Sequence, residues 1–188
     1  MARDQTQLHP ILQYKIKKLL ELCNQNGIKI GIGECVRTVE EQDALYAQGR
    51  TTKGTKVTNA KGSTYSSLHQ WGVAFDFYLL MDIDGDGKTK DDAFNDKLGT
   101  FKKVGKLAET LGLEWGGDWH SIVDKPHIQL PYWGSGASKL KSKYGTPDNF
   151  RNCWNLSKPT STVKRGSSSK DVMWLQMQLC KVTNANID

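Results

Sequence analysis

An imidazole and a carboxylate stand seven positions apart in Ser66-Ser67-Leu68-His69-Gln70-Trp71-Gly72-Val73-Ala74-Phe75-Asp76, and metal binding is the chemistry this pairing suggests. Val73, Phe75, Phe77 and Leu79 alternate with Ala74, Asp76 and Tyr78, the period of a strand with one apolar face. Asp76 therefore points away from that face, and small Ala74 beside it leaves room for an ion. Gly72 lets the backbone turn, so that His69 converges on the same point. A His-x6-Asp pair alone is a weak metal signature, and a third, neutral ligand would complete a zinc site.

The chain has four histidines, His9, His69, His120 and His127. The last two lie in Leu113-Glu114-Trp115-Gly116-Gly117-Asp118-Trp119-His120-Ser121-Ile122-Val123-Asp124-Lys125-Pro126-His127-Ile128-Gln129-Leu130, and either could supply that ligand. His127 opens a short alternating run directly after a proline, which excludes helix before it, and a strand is a rigid platform for a ligand. His120 follows a Gly-Gly-Asp-Trp turn, where a solvent-facing loop histidine is the ordinary state. His127 is the stronger candidate.

These residues need a scaffold. Pro10 to Asn26 carries Ile11, Leu12, Ile16, Leu19, Leu20, Leu22 and Cys23 at helical spacing, with Asn26-Gly27 as its stop. Residues 28–33 alternate as a strand. Thr38 is placed to cap a second helix, with Glu41 completing a capping box. Phe94, Leu98, Phe101, Val104, Leu107, Ala108 and Leu111 predict a third helix from Phe94 to Leu111, stopped by Gly112.

Taken together, Ser67-x-His69-x-x-Gly72-x-Ala74-x-Asp76, then Trp-Gly-Gly-Asp-Trp and Asp124-x-x-His127, resemble the LAS-type zinc peptidases. These are the VanY-like D-alanyl-D-alanine carboxypeptidases and the L-alanyl-D-glutamate endopeptidases of phages and bacilli. The resemblance spans roughly residues 8 to 133. It implies that His69, Asp76 and His127 hold zinc and that Asp124 is the catalytic base. A strand followed by Arg37-Thr38, Glu41-Gln42, Leu45-Tyr46 and Gly49-Arg50 also fits the family's pattern. By that match Arg37 reaches the active site, to bind a substrate carboxylate or the developing oxyanion. Gln42, one helical turn away, is a candidate to orient substrate. Ser67 is a candidate to hydrogen-bond the peptide, and Trp119 one of several aromatics that could wall a groove.

The expected fold is α+β, a small antiparallel sheet carrying the zinc ligands with about three helices around it. The expected activity is hydrolysis of the peptidoglycan stem peptide at the L-Ala–D-Glu bond, as in an endolysin. A D-Ala-D-Ala carboxypeptidase and a non-catalytic zinc-containing wall-binding module are the alternatives.

Asp82-x-Asp84-x-Asp86-Gly87 begins like a calcium loop, but the twelfth position, where a bidentate glutamate belongs, is Ala93. Asp91 or Asp92 would have to substitute. Calcium and an acidic, solvated turn are both open readings there.

With 188 residues, 24% charged and 37% hydrophobic, the chain has room for one ordinary domain and a small appendage. The net charge of +6 and pI near 9.1 suit an anionic partner such as a bacterial wall with its teichoic acids and carboxylates. The lysines form no dense basic run and no nucleic-acid motif is present, so no nucleic-acid partner is expected. No apolar run is long enough to span a bilayer, and the first residues lack the apolar core of a signal peptide. The expectation is a monomer made in the cytoplasm that reaches the wall after release, as in phage lysis. Cys23, Cys35, Cys153 and Cys180 form no Cys-x-x-Cys pair, and buried free thiols are expected.

The polar, proline-containing stretch after Trp154 marks a boundary. Three parts are expected: a catalytic domain 1–154, a linker 155–163, and at 164–188 the start of a peptidoglycan-binding repeat. The repeat is read from a basic-Gly, Asp-Val, Leu-Gln, Leu pattern.

Overall fold

Four short alternating segments, β1 (Ile30–Ile32), β2 (Ala74–Leu79), β3 (Glu114–Trp115) and β4 (His127–Gln129), form one antiparallel sheet in the order β1-β2-β4-β3. The protein is described by a computed structural model covering residues 3–120 and 122–154. The expected linker and wall-binding repeat lie outside the described residues. The fold is α+β, and β2 and β4 hold its centre.

The expected alternation in β2 holds. Phe75, Phe77 and Leu79 are fully buried, while Asp76 and Tyr78 are only half-buried. Register matters more than burial for function: Asp76 pairs directly across from His127. Cross-strand neighbours bring their Cβ atoms within about 5 Å, and a slip of one residue would turn one of them to the opposite face.

Helix α1 (Pro10–Gln25) buries Leu12, Ile16, Leu19 and Cys23 in the hydrophobic core, each large aliphatic contributing roughly 1.5–3 kcal/mol. Pro10 opens it, where the missing N–H costs nothing. His9 is its cap: Nδ1 accepts the Ile11 N–H at 3.3 Å, and the His9 N–H donates to the Gly72 carbonyl at 2.8 Å.

Buried among Trp133, Phe150 and Trp154, His9 has its pKa pulled down by desolvation to about 3. The unfolded chain binds a proton below the ordinary value of 6.5 and the folded one does not. This part of the stability is therefore whole above that value and is lost as the pH falls toward 3, by on the order of 1.4 kcal/mol per unit. His9→Asn keeps a capping acceptor without the titration. It is expected to flatten the decline of the urea midpoint between pH 6.5 and about 4, and an unchanged slope would refute the assignment.

Helix α2 (Val39–Ala47) starts with the predicted box. Thr38 Oγ1 accepts the Glu41 N–H at 3.2 Å and Glu41 Oε2 accepts the Thr38 N–H at 2.8 Å, an arrangement worth about 1 kcal/mol.

Helix α3 (Thr100–Thr110) is shorter than its periodicity suggests. Phe94 and Leu98 are 66% and 54% exposed rather than core. The Ala93 carbonyl accepts the Leu79 N–H at 2.9 Å, which commits residue 93 to the sheet edge. Gly99 then takes φ +65°, and Asp96 Oδ1 accepts the Phe101 N–H at 3.1 Å, so the helix can begin only at 100.

Two further helices, α4 (Ser138–Tyr144) and α5 (Pro147–Asn152), exceed the three expected and bury Leu140 and Phe150. Among the described residues no disulfide forms. Burial pushes the Cys23 and Cys35 thiols up to about 11 and about 12, whereas Cys153 is only half-buried.

Candidate active site

The first site residue comes from a 3-10 turn, Leu68–Trp71, that leads into β2. Gly72 ends the turn in the left-handed region at φ +68°, its N–H bonding back to the His69 carbonyl at 3.1 Å. A Cβ there would lie 2.7 Å from the Trp154 ring and 3.0 Å from the Gln7 carbonyl. Glycine is thus required twice, by backbone and by space. The turn delivers His69 beside the β2–β4 pair, where Asp76 and His127 already face each other.

His69 Nε2, Asp76 Oδ1 and His127 Nδ1 form a nearly equilateral triangle with sides of 3.1, 3.3 and 3.3 Å. Tetrahedral ligands about 2.0–2.1 Å from zinc stand about 3.3 Å apart, so the triangle matches one face of such a centre. The outer nitrogens fix which atoms face inward. His69 Nδ1 lies 2.8 Å from the Cys35 carbonyl and His127 Nε2 lies 2.9 Å from Gln129 Oε1. Both partners are acceptors, so the protons sit on the outer nitrogens and the inner ones present lone pairs.

Asp76 Oδ1 is buried with no hydrogen-bond partner among the described residues. Three acceptors therefore converge with no proton between them, an arrangement that a cation relieves. Burial acts to raise the Asp76 pKa, but the facing imidazoles overcome it and hold the carboxyl well below the usual range.

Asp124 approaches through the glycine pair. Trp115 occupies β3, with its Nε1–H donating to the Lys125 carbonyl at 2.7 Å. Gly116 then lies flush against the next loop: its carbonyl accepts the Asp124 N–H at 3.0 Å, and a Cβ on it would meet the Asp124 carbonyl at 2.6 Å. The Asp124 carbonyl in turn accepts the His127 N–H at 3.1 Å. Burial, with some help from Asp76, raises the Asp124 pKa, opposed by His127.

A groove of about 270 Å³ runs past this cluster, lined by Arg37, Ser67, His69, Trp119, Asp124 and His127. The Trp119 ring stands 5.0 Å from that of His127, with its Nε1–H anchored on Glu114 Oε1 at 2.7 Å. Ser67 sits on the groove wall, and its side chain makes no cap bond to the turn that follows.

Arg37 also reaches the groove, but its guanidinium is engaged. It bonds Asp76 Oδ2 and Gln42 Oε1, each at 3.2 Å, and pairs with Glu34. Gln42 is 0% exposed, and its Nε2 donates to Thr58 Oγ1 and the Ala60 carbonyl. Fully enclosed, it cannot touch substrate as expected, and instead holds Arg37. His120 is exposed and outside the cluster.

Sequence reasoning did not single out Glu34, Gln129 or the Cys35 carbonyl. Gln129 had a readable signal, because the alternation through Ile128 puts it on the same face as His127.

At the acidic turn, Asp82, Asp84 and Asp92 gather, whereas Asp86 and Asp91 do not join them. The gathered carboxylates already accept turn N–H groups, Asp82 from Gly85 and Gly87, and Asp92 from Ile83 and Asp84. Asp86 pairs with Lys88.

A family model described as D-alanyl-D-alanine carboxypeptidase matches residues 60–130. The peptidoglycan L-alanyl-D-glutamate endopeptidase CwlK of Bacillus subtilis (strain 168) is 39% identical over 132 residues, covering 65% of this chain and 73% of CwlK. The L-alanyl-D-glutamate peptidase of Listeria phage A118 is 34% identical over 152 residues, 80% of this chain but only 45% of that protein.

Among solved structures, the Serratia marcescens L-Ala D-Glu endopeptidase ChiX aligns with a TM-score of 0.48 at 18% identity, covering 68% of this chain and 83% of ChiX. The vancomycin-resistance D,D-pentapeptidase VanY, solved with Zn(II), aligns with a TM-score of 0.43 at 18% identity, covering 64% and 70%.

The identity to CwlK extends over nearly three quarters of that enzyme, and this chain therefore belongs with it to the LAS-type peptidases, the family whose model is described as D-alanyl-D-alanine carboxypeptidase.

Proposed function

We propose that the chain hydrolyses the peptidoglycan stem peptide between L-alanine and D-glutamate, with zinc held by His69, Asp76 and His127. The observation that carries this reading is the 39% identity to an enzyme of that name, beside a family match over residues 60–130 that contains all three ligands and Asp124. The fit of the triangle to a tetrahedral face supports the metal assignment. Zinc held by these three residues would supply a Lewis acid and lower the pKa of a water molecule.

Asp124 takes the proton of the attacking water and returns it to the leaving amine. Its raised pKa suits it to the second step as much as the first. Arg37 steadies Asp76 through Oδ2 and keeps a fixed positive charge at the groove where the oxyanion develops. Gln42 positions Arg37, Ser67 bonds the peptide backbone, and Trp119 walls the groove. Calcium gains no support beyond carboxylate spacing, and this reading rests on zinc alone.

In this reading the protein is a monomer that acts on the cell wall after release from the cytoplasm; the phage source of one relative supports the wall as its place of action. Among the described residues no helix is long and apolar enough to cross a membrane. A wall-binding module without catalysis would have no use for a partly buried carboxylate beside the metal ligands. A D-Ala-D-Ala carboxypeptidase is the second reading, favoured by the description of the matching family model.

Purified peptidoglycan digested with and without chelator separates them. New D-glutamate amino termini, detected by mass spectrometry and absent with chelator, are expected. Release of free D-alanine with no such termini would give the carboxypeptidase reading its place.

A further inference from the structure

A second cavity, of about 490 Å³, lies across Arg37 from the active-site groove, and Arg37 lines both. Its floor is the back of the 3-10 turn that carries His69: the next residue, Gln70, faces this cavity, as do Tyr65 and Trp154. Gln70 is 2% exposed, and its Nε2 is spent on the Gly62 carbonyl at 2.9 Å, while its Oε1 has no partner among the described residues. The indole N–H of Trp154 is likewise buried and unpartnered. One orphan acceptor and one orphan donor are thus carried by two residues that line the same cavity, and buried polar groups are rarely left so without a ligand or water.

The charges here are already balanced. Arg151 is bonded to Asp148 at 2.8 Å and to the Gln70 carbonyl at 2.7 Å, and Arg37 to Asp76 and Glu34. An anion would find no free cation at these arginines. What remains is a set of neutral donors and acceptors beside two aromatic side chains. That chemistry suits a sugar, whose hydroxyls both donate and accept and whose C–H faces pack on aromatic rings.

We propose that this cavity is a saccharide subsite for the N-acetylated amino sugar that bears the stem peptide. The proposal rests on the L-Ala–D-Glu reading above. In peptidoglycan that L-alanine is joined directly to the lactyl group of muramic acid. The sugar must then lie within about one or two residue lengths, roughly 3.5 Å each, of the bond being cut. The cavity that shares Arg37 with the groove is placed to receive it. A cut at terminal D-alanine, at the far end of the stem, demands no such neighbour.

The test is binding of peptide-free GlcNAc–MurNAc disaccharide to the intact zinc protein, followed by NMR. Binding is expected, weakened about threefold or more by Trp154→Phe, which removes the N–H and keeps one aromatic ring, and lost in Thr6→Trp, which fills the exposed rim. Zinc content and melting temperature serve as folding controls, and Thr6→Trp carries the test if Trp154→Phe unfolds.

In turnover, kcat/KM for glycan-linked stem peptide should exceed that for the glycan-free peptide by about tenfold, with the ratio falling toward one in both variants. No disaccharide binding, or binding that neither variant changes, overturns the subsite. Binding that responds to the variants, in a protein that cuts neither peptide, upholds the subsite and removes the endopeptidase reading instead.

Discussion

Replacing His127 by alanine is expected to abolish both zinc retention and turnover. The triangle supplies three ligand atoms with sides of 3.1–3.3 Å, and two ligands cannot hold a catalytic ion against competition from water and buffer. The same holds for His69→Ala and Asp76→Ala. The supporting partner should give a graded result. Gln129→Leu leaves all three ligands in place but removes the acceptor that fixes the His127 tautomer, and is expected to weaken zinc about 10- to 100-fold. Metal analysis after dialysis against a graded chelator series reads both effects. A His127→Ala protein with stoichiometric zinc and undiminished turnover would sink the ligand assignment.

The convergence of His69, Asp76 and His127 was legible because the position of each is announced by local backbone chemistry. The Val73–Leu79 alternation put Asp76 on the polar face, Pro126 set a strand start at His127, and Gly72 marked the turn that brings His69 back. The Thr38–Glu41 box was likewise a local signal. What stayed hidden was tertiary. Nothing near Arg37 says that Gln42, five residues on, and Asp76, thirty-nine on, will take its guanidinium donors, so it reads as free for substrate.

The start of α3 misled for a related reason. Phe94 and Leu98 fit the helical period, but Ala93 is claimed by the edge of β2 and Gly99 breaks the path. Periodicity records which faces are apolar and not where the chain is already committed. Helix α5 did have a signal, Thr146-Pro147-Asp148, in which a capping threonine precedes a proline at the first helical position. At six residues it was too short for its apolar face to show.

Asp124→Asn is expected to keep zinc and lose turnover by about 10²- to 10⁴-fold, the usual range for a positioned general base. The prediction follows from what the backbone does at this position. The Asp124 N–H and carbonyl are both used, by Gly116 and His127, so the isosteric amide keeps the loop and the His127 register while removing the only proton acceptor substituted. The wild-type pH profile should carry the mark of this carboxyl. Burial raises its pKa above 3.8, catalysis needs the charged form, and kcat/KM therefore falls as the pH drops through that raised value. The residual activity of Asp124→Asn should lack this acid limb.

The same burial gives a sign for stability. A carboxyl whose folded pKa is raised opposes folding once it is charged, so at neutral pH the uncharged amide should leave the melting temperature no lower than in the wild type. Single-turnover rates, zinc content and melting curves on one preparation make the case. A variant that retains zinc and folds normally yet turns over at the wild-type rate would remove Asp124 from the mechanism.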